Sequence, residues 1–158
     1  MGSKASAGRA RKPARTPVRS TLPRVRDVMS TTVVQLGPDQ LLSDALGIFA
    51  EKRFRHLLVI ADGRLCGVLS DRDALRFLAR HPGGSDKTVA DAMTPHPITA
   101  SPDSTLAEAV KVLIEKRINC LPVVADDRMV KGILTTTDLL RALHSIVSNI
   151  EREAAASA

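Results

Sequence analysis

The chain has 158 residues, 44% of them hydrophobic, with three Phe and no Trp or Tyr. It suits one compact domain or two small ones sharing a core, and that core must be aliphatic. Without aromatic rings it is a poor base-stacking platform for single-stranded nucleic acid. The net charge of +6 gathers at one end. Lys4, Arg9, Arg11, Lys12, Arg15, Arg19, Arg24 and Arg26 precede the first acid, which leaves 15 basic against 17 acidic residues, a net −2, from Asp27 onward. Cys66 and Cys120 stand alone in apolar runs, and the absence of CxxC or Cys/His clusters speaks against a disulfide scaffold or a zinc site. The apolar runs are too short to span a bilayer, and no secretory segment opens the chain. A soluble, cytoplasmic protein is expected.

Residues 1–23, with Pro13, Pro17 and Pro23 among Arg, Gly and Ser, have no apolar periodicity and are expected to form a disordered basic tail. From Val25 the chain is written twice. Val25-Arg-Asp-Val-Met29 recurs as Val89-Ala-Asp-Ala-Met93, and at the same offset of 64 Glu51-Lys52-Arg53 meets Glu115-Lys116-Arg117. One residue inserted near Lys131 makes the offset 65, so that Gly67-Val-Leu-Ser70 meets Gly132-Ile-Leu-Thr135 and Asp73 meets Asp138.

Each copy predicts the same elements. A short strand (Val33 to Leu36; Ile98 to Ala100) leads to a Pro-Asp turn whose Asp39 or Asp103 is a plausible helix N-cap. The next helix carries Leu42, Ala45, Leu46 and Phe49, matched by Leu106, Ala109, Val110 and Leu113 at helical spacing. Two strands follow, His56 to Ala61 with Leu65 to Leu69, and Cys120 to Ala125 with Met129 to Leu134. Asp62-Gly63 is a strong hairpin turn between the first two. A last helix starts after Ser70 and after Thr135, the second running on through Ile150. The reading is an α/β (α+β) fold of two β-α-β-β-α units, neither able to bury much surface alone, packed about a pseudo-twofold axis. The expected bounds are 1–23 for the tail, 24–81 for the first repeat, 82–87 for a linker, 88–148 for the second repeat and 149–158 for a helix end or tail.

Paired Asp-x-Met motifs, each followed by such a unit and a Gly-h-h-[Ser/Thr]-x-x-Asp ending, resemble cystathionine-β-synthase (CBS) domains in tandem, the Bateman module. Leu121-Pro122-Val123-Val124 fits the family's strand pattern, from which the first repeat departs with Leu58 in place of Pro122. The resemblance covers Val25 to about Ile146. It implies an adenosyl ligand in one or both clefts between the repeats (AMP, ADP or ATP, with S-adenosylmethionine as a further option) and no catalytic cofactor. It also implies a homodimer and a regulated protein partner in trans.

The site residues follow from the resemblance. Ser70-x-x-Asp73 and Thr135-x-x-Asp138 can offer a carboxylate to a ribose cis-diol and a hydroxyl with helix N–H groups to a phosphate, although the same pattern merely caps a helix. Arg55 and His56 open a strand where the family often contacts phosphate, whereas the second repeat has Asn119 and Cys120. The expectation is therefore of unequal clefts: Ser70, Asp73, Arg55 and His56 in one, with Ile98 and Ile118 flanking the adenine, and Thr135 and Asp138 in a less charged other, with Thr32, Val33, Val34 and Phe54. His81, His96 and His144 are expected to face solvent, and no catalytic constellation or metal site emerges, so the chain reads as a non-enzyme. Two other readings stand beside the sensor: a structural dimerisation module with empty clefts, and weak binding of nucleic acid or another polyanion through the basic tail.

Overall fold

The computed structural model describes residues 23–156, and the expected disorder of the basic tail falls, except for Pro23, on positions outside the described residues. The elements run α1 (Val25–Val28), β1 (Gln35–Leu36), α2 (Leu42–Glu51), β2 (His56–Ala61), β3 (Arg64–Ser70), α3 (Asp71–Arg80), α4 (Val89–Ala92), β4 (Thr94–Pro95), α5 (Leu106–Lys116), β5 (Cys120–Val124), β6 (Val130–Thr135) and α6 (Thr136–Ala156). Two matching α+β halves result. β2 and β3 pair antiparallel across the Asp62-Gly63 turn, where both residues take positive φ (50° and 74°) as a tight primed hairpin requires. β5 and β6 repeat the hairpin, with the inserted residue absorbed in the turn before β6.

The first strands are shorter than expected. β1 pairs parallel with β2 over Gln35 and Leu36, and its counterpart is a single parallel bridge from Ala100 to Val123. The Asp39 and Asp103 caps are corrected too, because the turns containing them close before the helices begin. The N-caps are Leu41, which has no side-chain cap, and Thr105, whose hydroxyl accepts from the Glu108 amide while the Glu108 carboxylate accepts from the Thr105 amide.

The duplicated order conceals an exchange. The opening helix of each copy packs into the other copy: Val25 of α1 is buried with Ala100, Leu113 and Leu121, and Val89 and Ala92 of α4 are buried with Leu36, Leu42 and Leu57. Matching backbone bonds hold both segments, Leu106 N–H to the Pro23 carbonyl (2.9 Å) and Leu42 N–H to the Lys87 carbonyl (2.7 Å). These carbonyls satisfy orphan donors at the starts of α5 and α2. Between the halves lies a third cluster of Leu58, Leu65, Cys120 and Ile133, from the sheet faces opposite those covered by helices. The strands alternate accordingly, with Leu57 and Val59 turned to the first core and Leu58 to the shared one. Among the described residues the buried core is aliphatic apart from Cys120, as the composition required. No helix among the described residues is long and apolar enough to cross a membrane.

Candidate functional site

Strand register places the site. His56 pairs with Ser70 and Cys120 with Thr135, so each hairpin ends where a helix begins, with the hydroxyl residue at the junction. Ser70 caps α3: its Oγ accepts from the Asp73 amide at 3.1 Å and donates to Asp73 Oδ2 at 2.5 Å. Thr135 repeats this at the start of α6, its Oγ1 donating to Asp138 Oδ2 at 2.6 Å. The capping role read for Ser/Thr-x-x-Asp is thus present in both copies.

The two carboxylates then differ. Asp138 is 5% exposed and accepts from the Thr135 amide (2.8 Å) and from Ser30 Oγ (2.8 Å), a residue of the exchanged opening segment. Its Oδ2 is filled by Thr135, while Oδ1 faces Ser30 and, at 3.8 Å, Arg141, with acceptor capacity left. Asp73 is half-buried and pairs with Arg76 on its own helix at 3.2 Å.

A cavity of about 440 Å³ opens over Asp138, within the usual range for small-molecule sites. Ser30, Thr32, Phe54, Asn119, Ile133 and Thr135–Asp138 line it together with Arg53, Arg55, His56, Ser70, Asp71, Arg72 and Arg141. The N-termini of α3 and α6 both border this one space, two positive dipole ends beside four guanidinium groups. Arg55 is steadied by Asp71 at 3.2 Å. Burial holds the His56 imidazole below its ordinary 6.5, only partly opposed by the Asp71 carboxylate, and burial pushes the matching Cys120 thiol up to about 12.

The expected grouping is therefore corrected. Arg55, His56 and Ser70 join Thr135, Asp138, Thr32 and Phe54 in a single cavity, because the hairpin ends of both halves meet there. The cleft expected to lack charge is the charged one. Asp73 instead borders a shallower hollow with Arg76, Phe77, Arg80, His81 and Asp91. Val33 packs on the shared core, Val34 on the first core and Ile118 on the second, and Ile98 is 43% exposed away from the cavity lining. Sequence reasoning missed Ser30, Arg53, Arg72, Asn119, Ile133 and Arg141. Ser30 had a signal, since it follows the repeated Asp-x-Met motif, and Arg141 lies one turn beyond Asp138. No group of His, Cys, Asp and Glu suited to a metal ion occurs among the described residues.

The family model described as CBS domain matches residues 25–80 and 89–145, so the chain belongs to the CBS domain family as a tandem pair. Among curated relatives, an inosine-5'-monophosphate dehydrogenase of Nitrosopumilus maritimus is 33% identical over 73% of this chain, which spans only 23% of that enzyme's length. The CBS domain-containing protein YhcV of Bacillus subtilis is 30% identical over 85% of this chain and 91% of its own. Two solved structures are similar: CBSX2 in complex with AMP (34% identity, TM-score 0.68, covering 78% of this chain and 98% of that one), and the CBS pair of protein MJ0100 with 5'-methylthioadenosine and S-adenosyl-L-methionine (26% identity, TM-score 0.72, covering 78% and 98%).

Proposed function

We propose that this CBS pair is a non-catalytic sensor that holds AMP, ADP or ATP over Asp138 and thereby regulates its own assembly or a separate protein partner. The observation that carries the reading is the convergence of both helix N-termini and four arginines on the cavity that contains the buried Asp138 carboxylate. Asp138 Oδ1 suits a ribose diol, Thr32, Phe54 and Ile133 offer the base an apolar wall, and Arg55, Arg72 and the start of α3 suit phosphate. The positive lining favours a phosphate over the sulfonium of S-adenosylmethionine. Relatives of this fold bound to AMP, and to methylthioadenosine together with S-adenosyl-L-methionine, support an adenosyl ligand. Such a ligand touches both halves and shifts the population toward the arrangement it binds best.

Calorimetric titration of the wild type, Asp138→Asn and Asp73→Asn with AMP, ADP, ATP and S-adenosylmethionine tests this. Charge-assisted bonds to a carboxylate are worth about 1.5–3 kcal/mol. Nucleotide affinity is therefore expected to fall about 10- to 100-fold in Asp138→Asn and to hold within about threefold in Asp73→Asn. Silence from all four ligands in ligand-free protein moves the reading to a structural module. Equal losses in both variants overturn the choice of cavity.

A further inference from the structure

His56 stands where the two halves of the molecule meet. Strand alternation puts it on the same face of β2 as Leu58, the face turned to the second half. The cavity over Asp138 opens there, and His56 lines it. Its half-buried ring takes part in no hydrogen bond among the described residues, so both nitrogens are free to meet a ligand. Charged groups surround it on every side. Arg55 precedes it in the chain, and Arg53 lines the same cavity. From α3 come Asp71, Arg72 and Asp73 with the positive end of the helix, and from α6 come Asp138 and Arg141. The opening segment and the second hairpin add only uncharged residues to the lining. The carboxylates are already engaged: Asp71 by Arg55, Asp73 by Arg76 and Ser70, Asp138 by Ser30 and Thr135. The guanidinium groups of Arg53 and Arg72 have no ion-pair partner among the described residues. Burial, helped by Arg55 and Arg72, outweighs Asp71 and Asp73 and keeps the imidazole neutral at its ordinary 6.5, where an exposed one is half charged.

We propose that His56 takes up a proton from solvent when the phosphate of a nucleotide enters this cavity, so that the module binds nucleotide more tightly as the solution turns acidic. A phosphate brings about 1.5–2 negative charges and unfilled acceptor oxygens, which reverse the balance that keeps the ring neutral. Reciprocity then requires that protonation favour the ligand as much as the ligand favours protonation. The coupling presupposes a nucleotide in the cavity and adds a second input to the sensor. The second repeat supplies no equivalent, because Cys120 stands at the place of His56 and burial pushes its thiol up to about 12. A free phosphate also gains a proton below about pH 6, which weakens its hold on the arginines. That loss is the same whatever residue stands at position 56, so comparison with His56→Gln isolates the histidine.

Proton magnetic resonance of the histidine rings in the full chain decides the matter. The His56 signal is identified by its loss in His56→Gln or, if that variant unfolds, by elimination with His81→Gln, His96→Gln and His144→Gln. Its titration midpoint should lie below 6.5 in the free protein. Saturating AMP should raise it by about one pH unit or more, a tenfold gain in proton affinity, and adenosine, which lacks the phosphate, should move it far less. In calorimetry the advantage of the wild type over His56→Gln for AMP should grow at least about threefold between about pH 8 and about pH 5.5. AMP binding that leaves the His56 midpoint in place, or lowers it, overturns the coupling and leaves the sensor reading standing. An adenosine shift as large as that of AMP also overturns it, since the phosphate is then not the cause. Protein that binds neither AMP nor ATP at either pH overturns the coupling and the sensor reading together.

Discussion

Asp138 and Asp73 occupy the same place in the two repeats. Each is the third residue of its helix and each is bonded to the hydroxyl residue at the preceding strand end. Their surroundings diverge because of what the exchanged opening segment does beside them. In the second half, Ser30 bridges to Ile133 in the middle of β6, and its hydroxyl closes over Asp138. In the first half the matching residue, Thr94, pairs with Val68 in β4 and stays exposed, and Asp73 turns to Arg76. Duplication supplies two copies of a junction; the approach of one remote segment decides which copy becomes a buried, preorganised acceptor.

The two opening segments also differ in how tightly they approach a glycine, and this makes the sharpest test of the comparison. A Cβ on Gly132 would lie 2.5 Å from the Ser30 carbonyl oxygen, whereas a Cβ on the matching Gly67 would meet the Met93 sulfur, the far part of a flexible side chain. Overpacking costs typically 1–3 kcal/mol, and backbone yields less than a methionine. Gly132→Ala is expected to destabilise by about 3 kcal/mol and Gly67→Ala by about 1 kcal/mol in urea unfolding, and equal losses would break the contrast. Next in size is Ser30→Ala, which removes one donor from a buried carboxylate. It should cost about 1–2 kcal/mol, while Thr94→Ala should stay within about 0.5 kcal/mol, as surface changes do.

Smaller effects sharpen the same comparison. Thr105 caps α5 and its counterpart Leu41 leaves α2 without a side-chain cap. Leu41→Thr should raise stability by about 0.5–1 kcal/mol, read as an increase in Tm. The pH response should also be one-sided. His56 titrates lower in the fold than in the unfolded chain, so the unfolded state takes up the proton first as pH falls. Stability is then complete above 6.5 and declines as pH drops through that value. His56→Gln should flatten unfolding free energies measured between about pH 7 and pH 5, whereas the matching Cys120, its thiol pushed up to about 12, contributes nothing in that window.

Much of the fold was legible because its signals are local. The bounds of β2 follow from His56 to Ala61 as a run of strand-forming residues closed by Asp-Gly, and the start of α3 follows from Ser70-x-x-Asp73. The Asp39 and Asp103 caps misled because a Pro-Asp turn and a helix start look alike in sequence. Thr105-x-x-Glu108 was the better capping signal.

The site was legible only in part. Asp138, Thr135, Phe54, Thr32, Arg55, His56 and Ser70 were all in view, yet they were divided between two clefts when one cavity holds them. Matching repeats present near-identical junctions, and one-dimensional periodicity cannot say which of two similar ends approaches the other. Ser30 and Asp138 are 108 residues apart, and nothing between them encodes their meeting. By itself, then, the sequence determined the duplication, the order of elements and the aliphatic core, since spacing, turn chemistry and composition act over a few residues. The exchange of α1 and α4, the pooling of four arginines at one cavity and the unequal burial of two equivalent aspartates were decided by tertiary packing, because long-range contacts alone can fully desolvate one carboxylate and leave its twin half-buried.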